Sequence, residues 1–83
     1  MRAVRIEVLL FASLKDEVGS SFPVELAEPA TVADLRRALE GSHPAFARFG
    51  RRAMVAVNEE YARDGDAVRP GDAVALLPPV AGG

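Results

Sequence analysis

From Val4 to Leu10 the apolar residues Val4, Ile6, Val8 and Leu10 alternate with Arg5, Glu7 and Leu9. Strict period two puts every second side chain on one face, so this segment is a half-buried strand whose partner layer must cover Val4, Ile6, Val8 and Leu10. A chain of 83 residues holds one domain of this kind, close to the lower size at which a core forms without a disulfide or metal. The hydrophobic fraction of 49% is enough to build that core. Zero cysteines remove a disulfide framework, a thiolate metal site and a thiol nucleophile together, which fits a cytoplasmic protein.

The rest of the chain reads as short elements around that strand. Ser13 to Gly19 is polar and glycine-terminated, and it is expected to reverse the chain as an ornate hairpin loop before Phe22, Val24 and Leu26 resume the alternation. Pro29 ends this second strand. Thr31 stands at an N-cap position with Asp34 three residues on, an approximate capping box, and Val32, Leu35, Ala38 and Leu39 recur at helical spacing until Gly41, a natural stop. Ser42 to Gly50 has no clear period and is expected to be a loop or short turn that tucks one aromatic inward. Met54 to Val57 is a third strand ending at Asn58, with Asn58-Glu59-Glu60 as a turn. Asp64-Gly65-Asp66 is another turn. Arg69-Pro70-Gly71-Asp72 suits a type II turn into a last strand, Ala73 to Leu77. Two strands, one helix and two more strands describe a two-layer α+β domain with one main helix across one sheet, spanning residues 1–83 and ending in an extended tail from about residue 78.

Several functions are disfavoured by composition. A net charge of −2 and a pI near 5.3 argue against nucleic-acid binding, which needs concentrated basic surface; the Arg36-Arg37 and Arg51-Arg52 pairs read as solvated residues. No stretch is long enough to span a bilayer, and Arg2, Arg5 and Glu7 interrupt any signal-peptide core, so the expected location is the cytoplasm. His43 has no second histidine or cysteine with which to hold a metal and is expected on the surface; Asp64, Asp66 and Asp72 have glycine neighbours and read as turn formers.

Two features ask for more than folding. Strand parity places Phe11 with Arg5, Glu7 and Leu9, opposite the core. Parity likewise turns Leu77 outward if Leu76 is buried, an arrangement suited to a partner-binding patch; the competing reading is that the strand ends twist and both residues are core. The second feature is Pro78-Pro79-Val80-Ala81-Gly82-Gly83. Two prolines favour a stiff extended exit, six residues reach roughly 20 Å, and Ala-Gly-Gly adds no bulk, so the tip could thread a narrow channel and present a carboxylate. That carboxylate, with a pKa of about 3.5, is an anion and a poor electrophile until it is activated, for example as a mixed anhydride with AMP.

Val8-Leu9-Leu10-Phe11-Ala12 with Gly19, Thr31-Val32 with Leu35, Ala56-Val57-Asn58, and the block from Gly71 to Gly83 resemble the small subunit of molybdopterin synthase, MoaD, in the MoaD/ThiS sulfur-carrier family. The resemblance spans essentially the whole chain. It implies a ubiquitin-like β-grasp fold, adenylation of Gly83 by a MoeB-like enzyme that uses MgATP, and conversion to a thiocarboxylate by a sulfur donor protein. The loaded tail, Gly82 included, would enter a MoaE-like large subunit and give its sulfur to cyclic pyranopterin monophosphate, two carriers per dithiolene, within a heterotetramer. On this resemblance the carrier is non-catalytic alone and binds no cofactor. Its partner contacts would fall on Phe11, Tyr61 and Leu77 and on the tail residues Pro78, Pro79, Val80 and Ala81, with Tyr61 departing from the aliphatic residue expected there. Rival readings are a carrier for thiamin thiazole synthesis, a lysine-directed ubiquitin-like modifier, for which Lys15 is the sole lysine, and an interaction module with an inert tail.

Overall fold

The computed structural model describes residues 2–79, apart from the Arg51 side chain, and everything below concerns these. The opening alternation becomes β1 (Ala3–Leu10), in which Val4, Ile6, Val8 and Leu10 are buried and the intervening residues exposed. It pairs antiparallel with β2 (Ser21–Ala27), whose Val24 and Leu26 are buried. The connection between them is not the expected loop. Ala12–Val18 forms a short helix, α1, which buries Leu14 and stops at Gly19, where φ is 131°. With only Leu14 and Val18 as large apolar residues, seven residues are too few for a helical period to emerge.

Two residues of β3 (Ala30–Thr31) lead into α2 (Val32–Ser42). The capping box forms as expected: the Asp34 amide donates to Thr31 Oγ1 at 3.3 Å, and the Thr31 amide donates to Asp34 Oδ2 at 2.9 Å. Val32, Leu35 and Leu39 are buried against the sheet with Ala38 half-buried beside them. Gly41 does not stop the helix, which runs to Ser42 and is capped by His43. The segment expected as a loop is helical too: α3 (Pro44–Phe49) and a 3-10 turn (Gly50–Arg52) follow. His43 is accordingly a capping residue and half-buried, its Nδ1 accepting the Ala45 amide at 3.0 Å, with Pro44 at the first helical position where its missing N–H costs nothing. One aromatic, Phe46, does turn inward, edge-on to Phe22 at 5.2 Å between ring centres.

The remaining strands are β4 (Met54–Val57), β5 (Glu60–Ala62), β6 (Ala67–Val68) and β7 (Val74–Leu77). Asn58 and Glu59 form the expected turn, but Glu60 belongs to β5. The three short strands β3, β5 and β6 lie below the length at which alternation is readable. Five strands make one mixed sheet, ordered β2-β1-β7-β4-β5, and β3 pairs with β6 in a separate ribbon. Strand β7 is central, parallel to β1 and antiparallel to β4. All the buried hydrophobic residues fall into one cluster between the sheet and the helices. At roughly 25 cal/mol per Å2 of apolar area, each large side chain here contributes about 1.5–3 kcal/mol by leaving water.

Arg36 is not simply solvated: its side chain is largely buried, donating from Nε to Asp64 Oδ1 at 3.0 Å and from a terminal nitrogen to the Gly50 carbonyl at 3.4 Å. It ties α2 to two loops at once.

Candidate functional site

The face of the sheet away from the helices is split in character. Toward β2 it is polar, with Arg5 beside Glu7 at 3.8 Å and Ser21 donating to Glu7 Oε1. Toward β5 it is apolar. Register aligns Leu9 with Ala75, Ala75 with Ala56, and Ala56 with Tyr61 across four strands, and a second row pairs Leu77 with Met54. Leu9, Phe11 and Met54 are each a little under half exposed, and Tyr61 is 70% exposed. A shallow hollow lies among Leu9, Phe11, Ala56 and Ala75, with Glu59 at its rim. Contiguous apolar residues on an open sheet face are the composition of a docking surface.

Local backbone geometry produces this arrangement. Leu10 pairs with Leu76, so the next residue, Phe11, leaves the sheet level with Leu77. Ala12 then takes φ of 53°, in the left-handed region that L-residues enter at a cost of about 1 kcal/mol. That bend starts α1 and sends Leu14 into the core while Phe11 stays outside. Parity put Phe11 on the outer face, and β1 ends at Leu10 as the alternation does; the bend at Ala12 was not legible from it.

Strand β7 is anchored at its start. Pro70-Gly71 forms the expected turn, with Gly71 at φ 86° and the Asp72 amide donating to the Arg69 carbonyl at 3.1 Å. Asn58, itself at φ 53°, reaches across from the β4–β5 turn: its Nδ2 donates to Asp72 Oδ1 at 3.1 Å and its Oδ1 accepts the Ala73 amide at 2.9 Å. Asp72 also accepts the Arg69 amide at 2.8 Å. These hydrogen bonds, the Arg69 amide first and Asn58 second, hold the Asp72 carboxyl below its ordinary value. Asp66 accepts the Arg63 amide in the same manner, so both aspartates are turn formers as the sequence suggests. The signal for the Asn58 clasp was present in Asn58 and Asp72 but not their meeting, which depends on the fold.

The outer face thus collects Phe11, Tyr61 and Leu77 on one side of the sheet, with Leu77 half-buried and Leu76 buried behind it. Pro78 and Pro79, directly after β7, are half-buried. Val80, Ala81, Gly82 and Gly83 lie outside the described residues. Among the described residues no cluster of histidine and carboxylate side chains could hold a metal ion, and no helix is long and apolar enough to cross a membrane.

The profile of the ThiS family matches residues 8–83. The chain belongs to the ThiS family. Within that family it is 35% identical over 83 residues to the molybdopterin synthase sulfur carrier subunit of Chlamydomonas reinhardtii, a match covering 96% of this chain and 100% of that protein. It is 40% identical to small archaeal modifier protein 1 of Haloferax volcanii, covering 94% of this chain and 100% of that one. A crystal structure of the Haloferax protein superposes with a TM-score of 0.80, over 95% of this chain and 99% of that chain, which makes the fold of this ThiS-family chain the ubiquitin-like β-grasp implied by the resemblance. A chain from the complex of subunits 1 and 2 of molybdopterin-converting factor from Helicobacter pylori shares the fold at 23% identity and a TM-score of 0.66, over 96% of this chain and 100% of that one.

Proposed function

We propose that this ThiS-family chain is the sulfur carrier of molybdopterin synthase and works through the terminal carboxylate of Gly83. The observation that carries the reading is the position of β7: the sheet's central strand ends beside an exposed apolar strip, so whatever docks on that strip receives the segment beginning Pro78-Pro79. Relatives named as sulfur carrier subunits, matched over nearly their whole length, supply the chemistry.

In this reading a MoeB-like enzyme brings MgATP. A carboxylate oxygen attacks the α-phosphorus, pyrophosphate leaves, and the resulting acyl adenylate is electrophilic at carbon. Sulfide-level sulfur released by a donor protein attacks the acyl carbon, a C–S bond forms as the bond to the AMP phosphate oxygen breaks, and AMP leaves behind a thiocarboxylate. A MoaE-like large subunit then docks on Phe11, Tyr61 and Leu77, admits the slim Ala81-Gly82-Gly83 tip, and transfers the sulfur to cyclic pyranopterin monophosphate. The folded body aims and docks; its side chains supply no acid or base. The Helicobacter complex of subunits 1 and 2 supports a large-subunit partner. Coexpression with an activating enzyme and a sulfur source should give an oxygen-to-sulfur mass change confined to Gly83 by intact-protein mass spectrometry. Protein that stays a plain carboxylate under conditions that load a known carrier sinks the proposal.

A second reading is favoured by the 40% identity to the Haloferax modifier protein: the same activated carboxylate could be passed to an amine instead of to sulfur. Both readings share the adenylate and part only at the nucleophile that takes the acyl group.

A further inference from the structure

Resting on the modifier reading, we infer that Lys15 is the acceptor through which a second copy of this chain becomes attached, giving a Gly83–Lys15 isopeptide-linked pair. The chain holds nine arginines and one lysine. Guanidinium groups stay protonated at any physiological pH and are not acyl acceptors, whereas an ε-ammonium can release a proton and attack. Lys15 is therefore the single side-chain amine available.

Its setting suits the role. Lys15 lies on α1 and is exposed, and among the described residues its side chain makes no hydrogen bond or ion pair, while the neighbouring Glu17 is already held by Arg48 at 2.8 and 3.0 Å. Glu17 is thus occupied elsewhere and does not tie down the Lys15 amine. Helix α1 belongs to the layer that covers the inner face of the sheet, and the apolar strip lies on the outer face. An acceptor copy can therefore keep its strip docked on a partner while its Lys15 is approached from the helix side.

The step balances without a redox change. MgATP and an adenylating enzyme convert Gly83 of the donor copy to an acyl adenylate with release of pyrophosphate. The neutral Lys15 nitrogen of the acceptor attacks the acyl carbon, the C–N bond forms, the bond to the phosphate oxygen breaks, AMP departs, and the nitrogen's surplus proton goes to solvent. The α-amino group of Met1 is the other amine that could compete.

The experiment uses the full chain with a MoeB-like adenylating enzyme and MgATP, without a sulfur donor, read by intact mass and by peptide mapping. Expected is a species at twice the chain mass less one water, with Gly83 joined to Lys15, which K15R removes. Hydroxylamine added to the same mixture traps the activated terminus independently of any lysine. Trapping by hydroxylamine with no Lys15 linkage overturns the inference and leaves the modifier reading standing. Pyrophosphate release with no hydroxylamine adduct means the adenylate is withheld from amines and overturns the modifier reading itself. A pair that persists in K15R at the same yield assigns the acceptor to Met1 and also refutes Lys15.

Discussion

Asn58 and Glu59 occupy the two-residue turn between β4 and β5, both with positive φ, at 53° and 70°. This is the signature of a type I′ turn, whose sequence preference is Asn-Gly. Glycine introduced at the two positions should have opposite effects. The Glu59 side chain is exposed and among the described residues makes no hydrogen bond or ion pair, so Glu59→Gly removes only left-handed strain, about 1–2 kcal/mol, against an added unfolded-chain entropy of about 0.5–1 kcal/mol. A net gain of about 0.5–1 kcal/mol raises Tm by about 2–8 °C for a domain of this size. Asn58 already tolerates the left-handed region, so Asn58→Gly relieves little strain. It also deletes the hydrogen bonds to Asp72 and Ala73, at about 0.5–1.5 kcal/mol each. Its Tm should fall by about 4–24 °C. Scanning calorimetry or far-UV circular dichroism melts on both variants decide the matter. A Tm for Glu59→Gly that is unchanged or lower, or a rise for both, refutes the account of this turn.

Thr31→Ala removes the capping hydroxyl of α2 and should cost about 1 kcal/mol in chemical denaturation, with no change in m-value. The carboxyls of Asp34 and Asp72 are both held low, Asp34 chiefly by the Thr31 amide and hydroxyl; a lowered folded pKa means stability that is full above the unfolded value of 3.8 and lost as pH falls below it. Urea midpoints should therefore drop between about pH 5 and 2, less steeply in an Asp34→Asn, Asp72→Asn double variant; equal steepness refutes the assignment. Phe11→Asp should leave Tm within about 3 °C, because the ring is already half in water, yet weaken binding to a MoaE-like subunit by about tenfold or more in calorimetry. Unaltered affinity would show that the strip is not the docking face.

Long alternation and a capped amphipathic stretch carried most of the fold into view: β1, β2, α2, β4 and β7 follow from residues whose burial repeats within one element. Where the sequence misled, the deciding physics was not periodic. Helix α1 begins at Ala12, an alanine in a glycine-like conformation, and α3 begins behind a histidine cap, with Pro44 at its first position as its one conventional start signal. Gly41 sits inside α2 because the helix is held by packing of Leu35 and Leu39 rather than by propensity at its last turn. Arg36 looked solvated because its partners, Asp64 and the Gly50 carbonyl, come from distant parts of the chain. The outer-face residues Phe11 and Leu77 were legible from parity, whereas the contribution of Met54 depended on the pairing of β4 with β7.

Placing the last strand in the middle of the sheet, parallel to the first, has a mechanical corollary. Tension applied to the two extremities of the chain loads the β1–β7 ladder in shear, so its bonds must fail together instead of peeling one by one. Under the proposed carrier function, a body built this way could be tugged by its end during withdrawal from a tight-fitting host and still come away folded, ready for another round.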